Sequence, residues 1–139
     1  MSNSKILFFM IPKQKVICVY DDFTLKEALE TMKATRFSAI PVLSREGKYV
    51  GTLSEGDILW YIKDIKGFNF GDTEKINIKD IPRLRDNDPI DSDCNIEVLI
   101  SRAANENFVP VLDEDKQFIG IITRKEVINY FFDHKFVVL

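Results

Sequence analysis

The sequence predicts a mixed α/β fold, of the α+β type, built from two copies of one β-α-β-β-α module. The main observation is an internal repeat, because Pro41-Val42-Leu43 returns as Pro110-Val111-Leu112, 69 residues further on. In addition, each copy contains short apolar runs, which are typical of strands, beside segments with helical periodicity. Two copies indicate a duplicated module rather than a solenoid, which requires three or more repeats.

The elements of the first copy follow from its apolar pattern. A short strand is predicted over residues 16–19, and Thr24-Leu25-Lys26-Glu27 forms a capping box that opens a helix. Strands over residues 39–43 and 49–53 follow, joined by a polar turn that contains Gly47, and a second helix begins after Ser54.

The second copy repeats this order. A weaker strand is predicted near Asp88-Pro89-Ile90, and a helix from about Asn95 to Ala104. Strands over residues 108–112 and 118–122 follow, and the last helix extends from Arg124 to about Phe132.

These elements predict two domains. The first module is assigned to residues 1–66, including an N-terminal helix whose apolar residues 8–11 pack into the core, and the second to residues 80–139. Residues 67–79 are assigned to a linker. Because each small sheet has a face to bury, we expect the modules to pack against each other about a pseudo-two-fold axis.

Composition excludes several classes of protein. The 139 residues carry a net charge of −3, which argues against general nucleic-acid binding. No apolar run reaches the ~18–20 residues of a membrane helix, and the N-terminus lacks the basic leader of a signal peptide. We therefore expect a cytoplasmic protein without membrane contact, in which Cys18 and Cys94 are reduced thiols.

Two longer motifs carry a family resemblance. Ala39-Ile40-Pro41-Val42 precedes Gly51-Thr52-Leu53-Ser54-Glu55-Gly56-Asp57, and Phe108-Val109-Pro110-Val111 precedes Gly120-Ile121-Ile122-Thr123-Arg124-Lys125-Glu126. This pattern, which covers essentially the whole chain, resembles a tandem cystathionine β-synthase (CBS) domain pair, or Bateman module. The segments 80–84, 87–90 and 122–125 are further similar to the stand-alone bacterial CBS proteins that bind cyclic di-AMP (the CbpB/DarB type).

The resemblance implies a regulatory protein that binds adenine nucleotides in two clefts and modulates a partner protein, an enzyme or a transporter. It also implies a homodimer. The chemistry fits, because a Ser or Thr that caps a helix leaves backbone N–H groups directed at a phosphate. A carboxylate three residues later can accept hydrogen bonds from ribose hydroxyls, and apolar strand ends can sandwich adenine.

The family's binding positions can be carried over residue by residue. Cleft one comprises Lys15, Val16, Ile17, Phe37, Ser38, Ala39, Ile40, Thr123, Arg124, Lys125 and Glu126. Cleft two comprises Ser54, Asp57, Arg83, Leu84, Asn107, Phe108 and Val109. No catalytic residue and no metal ligand is predicted.

The two clefts differ in ways that rank their ligands. Glu126 departs from the family's Asp, and its extra methylene displaces the carboxylate from ribose, whereas Arg124 suits a phosphate. Asp57 is retained in cleft two, where Arg83 is the expected phosphate partner. We therefore expect cyclic di-AMP in cleft one as the leading ligand, with AMP or ATP in cleft two as the alternative.

Two alternatives remain open. Ser54-x-x-Asp57 and Thr123-x-x-Glu126 are also ordinary capping boxes, so the chain could be a ligand-free dimerisation or interaction module. The aromatic residues Trp60, Tyr61, Phe131 and Phe132 on the second helices fit either a dimer face or an internal core. An enzyme is not expected, since the GxSxG, phosphate-loop and metal-spacing motifs are absent from the sequence.

Overall fold

The computed structural model describes residues 4–133, with side chains from residue 6 onward. The chain divides into two compact units. We call residues 17–86 the first unit, and residues 4–16 together with 87–133 the second unit. Each described unit contains one small sheet and two α-helices, which confirms the predicted mixed α/β class.

The bounds of the elements agree closely with the repeat. The strands are β1 Ile11–Pro12, β2 Val19–Tyr20, β3 Ala39–Leu43, β4 Tyr49–Ser54, β5 Ile90–Asp91, β6 Phe108–Leu112 and β7 Phe118–Thr123. The α-helices are α1 Leu25–Thr35, α2 Glu55–Lys63, α3 Ile96–Asn105 and α4 Arg124–Asp133. Short 3-10 helices span Ser4–Phe9, Lys13–Lys15, Phe70–Glu74 and Ile78–Asp80.

The first unit has the strand order β2-β3-β4, with β2 parallel and β4 antiparallel to β3. The predicted capping box is confirmed, because the hydroxyl of Thr24 accepts the Glu27 N–H at 3.2 Å and the Glu27 carboxylate accepts the Thr24 N–H at 2.9 Å. α1 then buries Leu25, Ala28 and Met32 against the sheet, the face that the helical period predicts.

The N-terminal segment packs in the second unit, contrary to its assignment to the first module. Ile6 and Phe9 are buried in the core of the second unit, and β1 pairs antiparallel with β7, with Ile11 opposite Ile121. The sheet of the second unit consequently has four strands, β1-β7-β6-β5. The expected N-terminal helix is a short 3-10 helix, Ser4–Phe9, which leaves Phe8 exposed although a core position was predicted for it.

The segment assigned to a linker is part of the first unit. Its residues pair with the start of α1, since the Leu25 N–H donates to the Ile76 carbonyl at 2.8 Å and the Ile78 N–H to the Phe23 carbonyl at 3.0 Å. Ile78 is buried in the core, and the unit extends to residue 86. The outermost parts of the predicted domains, residues 1–3 and 134–139, lie outside the described residues.

A glycine in each unit allows a second chain segment to cross a strand closely. A Cβ at Gly120 would overlap the backbone carbonyl of Ile11, whereas a Cβ at Gly51 would overlap the side chains of Arg83 and Asp86. Gly51 and Gly120 occupy matching positions, opposite Val42 and Val111 respectively. The repeated module therefore includes the segment that crosses this strand, which contains Ile11 in the second unit and Arg83 in the first.

Candidate functional site

The start of α2 forms a reciprocal cap in the first unit. The Ser54 hydroxyl accepts the Asp57 N–H at 3.1 Å, and the Asp57 carboxylate accepts the Ser54 N–H at 3.1 Å. The Glu55 N–H donates to the Ser38 carbonyl at 2.8 Å, which joins the start of the helix to the start of β3. Asp57 is only 8 % exposed, so this carboxylate is fixed by its surroundings.

A second backbone group also binds Asp57. Its other carboxylate oxygen accepts the Leu84 N–H at 3.0 Å, which ties the segment after Pro82 to the start of α2. Each carboxylate oxygen thus already accepts one backbone N–H, although each has a further lone pair. A ribose at this position would have to use those remaining lone pairs.

Arg83 is engaged with a neighbouring carboxylate. Its Nε donates to Asp86 at 2.7 Å, and its Nη2 donates to Asp86 at 3.2 Å and to the Val50 carbonyl at 3.3 Å. The hydrogen bond with Asp86 raises the pKa of Arg83. Partial burial opposes ionisation of Asp86, but the bonds from Arg83 and from the Thr52 N–H outweigh it and lower the pKa of Asp86. A phosphate bound by Arg83 would therefore compete with Asp86.

These residues line one cavity of about 870 Å³ in the first unit. Its walls comprise Ser54, Gly56, Asp57, Trp60, Tyr61, Asp64, Ile65, Pro82, Arg83 and Leu84. The sequence identified four of them as cleft-two residues. It missed Pro82 and the residues in and after the C-terminal half of α2, namely Trp60, Tyr61, Asp64 and Ile65. The spacing of Asp57, Trp60, Tyr61 and Asp64, which places them on one helix face, was the signal that could have identified the extension.

The start of α4 in the second unit is built differently. The Thr123 hydroxyl accepts the Glu126 N–H at 3.1 Å, but within the described residues the Glu126 carboxylate accepts no hydrogen bond in return. Glu126 is exposed, in contrast to Asp57. The Arg124 N–H donates to the Asn107 carbonyl at 3.2 Å, as Glu55 does to Ser38 in the first unit.

The Arg124 guanidinium is anchored at the end of α3. Its Nε donates to the Ala103 carbonyl at 2.9 Å, while its two terminal nitrogens make no hydrogen bond to the described residues. Lys125 beside it is exposed. The second unit therefore presents two cations at the first turn of α4, one of them fixed in direction, and this arrangement suits an anion.

The remaining predicted residues divide by exposure. Ile40 and Val109 are completely buried and Phe108 nearly so, which leaves mainly their backbone groups for a ligand. The exposed or half-buried residues are Lys15, Val16, Ile17, Phe37, Ser38, Ala39 and Asn107. Both predicted clefts combine residues of the two units, and their composition stays a prediction.

The aromatic residues of the second helices are also divided. Trp60 is 62 % and Phe132 79 % exposed, whereas Tyr61 and Phe131 pack partly against the cores of their units. The core interpretation thus fits Tyr61 and Phe131 only, and the dimer face stays a prediction.

The family model of the CBS domain matches residues 9–64 and 78–133. The chain belongs to the CBS domain family. Both matches coincide with the repeated modules. The first begins within the segment that packs in the second unit. No group of three His, Cys, Asp or Glu in residues 4–133 could hold a metal ion, and no helix there is long and apolar enough to cross a membrane.

Relatives of known ligand resemble this CBS protein over most of its length. It is 31 % identical to cyclic di-AMP receptor B of Bacillus subtilis over 126 residues, which are 87 % of this chain and 82 % of the receptor. A crystal structure of CbpB in complex with cyclic di-AMP superposes with a TM-score of 0.83 at 25 % identity, covering 94 % of this chain and 87 % of the other. The CbpB complex of Listeria monocytogenes gives 0.81 at 28 % identity, with 96 % and 99 % covered.

Proposed function

We propose that this CBS protein is a regulatory receptor for cyclic di-AMP and that the start of α4 binds the ligand's phosphate. The observation that carries the proposal is the near full-length similarity to a cyclic di-AMP receptor and to two CbpB complexes with that nucleotide. The fixed Arg124 gives the proposal a chemical basis in this chain.

The chemistry of a cyclic dinucleotide matches the start of α4. Each phosphodiester carries one negative charge, and the Arg124 terminal nitrogens, Lys125 and the helix N-terminus together offer it donors and positive potential. The ring closes through the 3′ oxygens, so each ribose has only its 2′ hydroxyl. A carboxylate that grips two ribose hydroxyls is then unnecessary, which is consistent with Glu126 in place of an aspartate.

The regulatory part of the proposal concerns a partner protein, an enzyme or a transporter. Ligand binding can regulate such a partner only if the ligand-bound and ligand-free forms bind it with different affinity. We further propose a cytoplasmic homodimer that binds its ligand without catalysis. AMP, ADP and ATP are competing ligands, and the residues of cleft one outside α4 stay predictions.

A second candidate function is a ligand-free interaction module. It is favoured by apolar side chains that α2 and α4 expose, namely Leu59 at 54 %, Ile128 at 58 % and Phe132 at 79 %. Such residues on helix surfaces are typical of contacts with another chain.

Calorimetry with cyclic di-AMP separates the two functions. Arg124→Ala should weaken binding by about 1.5–3 kcal/mol, the range for a hydrogen bond to a charged group. The charge-matched control is Arg45→Ala in the first unit, where Arg45 pairs with Asp22, and it should leave the affinity unchanged. Wild-type protein that binds no adenine nucleotide would favour the interaction module, and equal losses in both variants would refute the role of Arg124.

A further inference from the structure

The two units differ at the ends of β2 and β5. Tyr20 is the last residue of β2 and Asp91 the last residue of β5, and each pairs in parallel with the last residue of the neighbouring strand, β3 or β6. The following turns also match, because the Phe23 N–H donates to the Tyr20 carbonyl at 2.9 Å and the Cys94 N–H donates to the Asp91 carbonyl at 3.0 Å. Asp91 and Cys94 of the second unit therefore occupy the positions that Tyr20 and Phe23 occupy in the first.

Aromatic rings occupy these positions in the first unit. The rings of Tyr20 and Phe23 contact each other edge to face, with 5.9 Å between their centroids. The Arg45 guanidinium lies over the Tyr20 ring at 4.1 Å from its centroid, and it donates to the Asp22 carboxylate from Nε at 2.8 Å and from Nη2 at 2.9 Å. The first unit thus fills this place with its own side chains and balances the charge of the nearby cation.

The second unit has a cavity of about 320 Å³ in this place, a volume within the range of small-molecule sites. Asp91 and Cys94 line the cavity where the first unit has its two aromatic rings, and Val98 and Leu112 add apolar groups to the wall. The smaller side chains of the second unit therefore leave a space that can accept a ring from a ligand.

The charge of this cavity is set by Arg102 on α3, a half-buried residue. Its Nη1 donates to the Pro89 carbonyl at 2.8 Å, while Nε and Nη2 make no hydrogen bond or ion pair with the described residues. Lys116 in the same wall pairs with Asp91 at 3.1 Å, so these two charges largely cancel. Burial and nearby carboxylates raise the pKa of Cys94, so its thiol is neutral at pH 7. Arg102 is consequently the one cation of the cavity without a counter-charge among the described residues.

We propose that this cavity is a binding site for a small aromatic carboxylate. The ring of the ligand takes the place that aromatic side chains fill in the first unit, and it contacts Val98 and Leu112. The Nε and Nη2 groups of Arg102 offer two parallel N–H bonds, which a carboxylate accepts as a bidentate pair. A dianionic phosphate is disfavoured, because the carboxylate of Asp91 lies in the same wall. The site goes beyond the proposed receptor function and does not depend on nucleotide binding at α4.

The probe for this site is 3-phenylpropionate, because it combines one ring with one carboxylate. Calorimetry should give saturable binding with a Kd on the order of 1 mM or lower, as expected for a ligand of this size. The neutral amide 3-phenylpropionamide lacks the charge and acetate lacks the ring, so both should bind at least about 10-fold more weakly. An amide that binds as tightly as the carboxylate, or the absence of saturable binding, would overturn the proposal.

The Cys94 thiol reports whether the probe binds in this cavity. With 3-phenylpropionate at about ten times its Kd, alkylation of Cys94 by iodoacetamide should slow by about 10-fold, because only unoccupied sites react. Cys18, a half-buried free cysteine of the first unit, is the internal control, and peptide mass mapping separates the two thiols. Unchanged alkylation of Cys94, or equal slowing at Cys18, would overturn the proposal.

Variants test the charge and the space separately. Arg102→Gln should weaken binding by at least about 10-fold, whereas Arg45→Gln, the charge-matched control in the first unit, should leave it unchanged. Cys94→Phe introduces the ring of the matching position and should abolish binding by filling the cavity, while Cys94→Ser keeps the space open and should retain binding. Equal losses in the two arginine variants, or full binding by Cys94→Phe, would overturn the proposal. If Cys94→Phe does not fold, the arginine variants alone decide.

Paired measurements separate failure here from failure of the proposed receptor function. Arg124→Ala should weaken cyclic di-AMP binding and leave 3-phenylpropionate binding unchanged, and Arg102→Gln should do the reverse. Loss of 3-phenylpropionate binding in Arg124→Ala would place the probe at the start of α4 and overturn the proposal, while cyclic di-AMP binding there would be unaffected by that outcome.

Discussion

The starts of α2 and α4 occupy matching positions of the repeated motif but have different surroundings. In the first unit Asp57 is buried and accepts the Ser54 and Leu84 N–H groups, whereas in the second unit Glu126 is exposed and accepts no hydrogen bond from the described residues. The neighbouring cation differs too, since Arg83 pairs with Asp86 while Arg124 binds only a backbone carbonyl. The same repeated backbone therefore forms a site with a buried, hydrogen-bonded carboxylate in the first unit. In the second unit it forms an exposed site with two cations.

The largest expected difference between the units is at the matching glycines. Gly120→Ala should lower the free energy of unfolding by about 3 kcal/mol, because the new methyl group meets the rigid carbonyl of Ile11. Gly51→Ala should cost about 1 kcal/mol, since the Arg83 and Asp86 side chains can move aside. Urea denaturation measures both, and equal costs would show that the Ile11 segment yields as readily as two side chains.

The two carboxylates provide the next comparison. Asp57→Ala should destabilise the protein by about 2 kcal/mol, because two backbone N–H groups lose their acceptor. Glu126→Ala should change stability by less than about 0.5 kcal/mol, as expected for an exposed side chain. Thermal unfolding of both variants tests this order, and a larger loss for Glu126→Ala would contradict it.

The hairpin turns of the two units differ at one left-handed residue. Gly47 has φ of 88° and Lys116, at the matching position, has φ of 65°. Gly47→Lys should cost about 1 kcal/mol, because a Cβ is unfavourable in this conformation. Lys116→Gly should change stability by less than about 0.5 kcal/mol, since relief of that strain offsets the larger entropy of glycine in the unfolded chain. Chemical denaturation should show this asymmetry, and a large loss in Lys116→Gly would point to its ion pair with Asp91 instead.

The smallest expected effect concerns the Arg83–Asp86 pair, which is found only in the first unit among the described residues. The pKa of Asp86 is lowered from 3.8 in the folded state, so its stabilisation is present above that pH and is lost as the pH falls through the folded pKa. Asp86→Asn should therefore reduce the loss of stability on acidification below about pH 4. Unfolding measured at a series of pH values in both proteins tests this, and identical pH profiles would contradict it.

The sequence was sufficient where short-range patterns determine structure. The bounds of β3 and β6 were predicted correctly, and the caps at Thr24 and Ser54 form as expected. The strand predicted over residues 16–19 appears instead as Val19–Tyr20, because only those residues pair with Val42 and Leu43. Local periodicity cannot determine such pairings.

Longer-range features of the site were not predictable. The motif identified Asp57, Arg83 and Arg124, but it did not reveal that Arg83 is paired with Asp86 or that Arg124 is anchored on Ala103. It also missed Trp60 and Asp64 as cavity residues, because a helix face becomes a wall only when another segment, here Pro82–Leu84, lies opposite. These contacts depend on tertiary structure, which no residue spacing specifies.

The position of Ile6 and Phe9 has a consequence for biosynthesis. These residues are synthesised before the first unit, yet they are buried against residues of the second unit, and β1 pairs with β7, which is made about 100 residues later. At a synthesis rate of about 5–20 residues per second, the nascent chain carries this apolar segment for about 5–20 seconds before its partner strand exists. The first unit, which is contiguous in sequence, can fold during that interval, whereas the second cannot be completed until β7 has been synthesised.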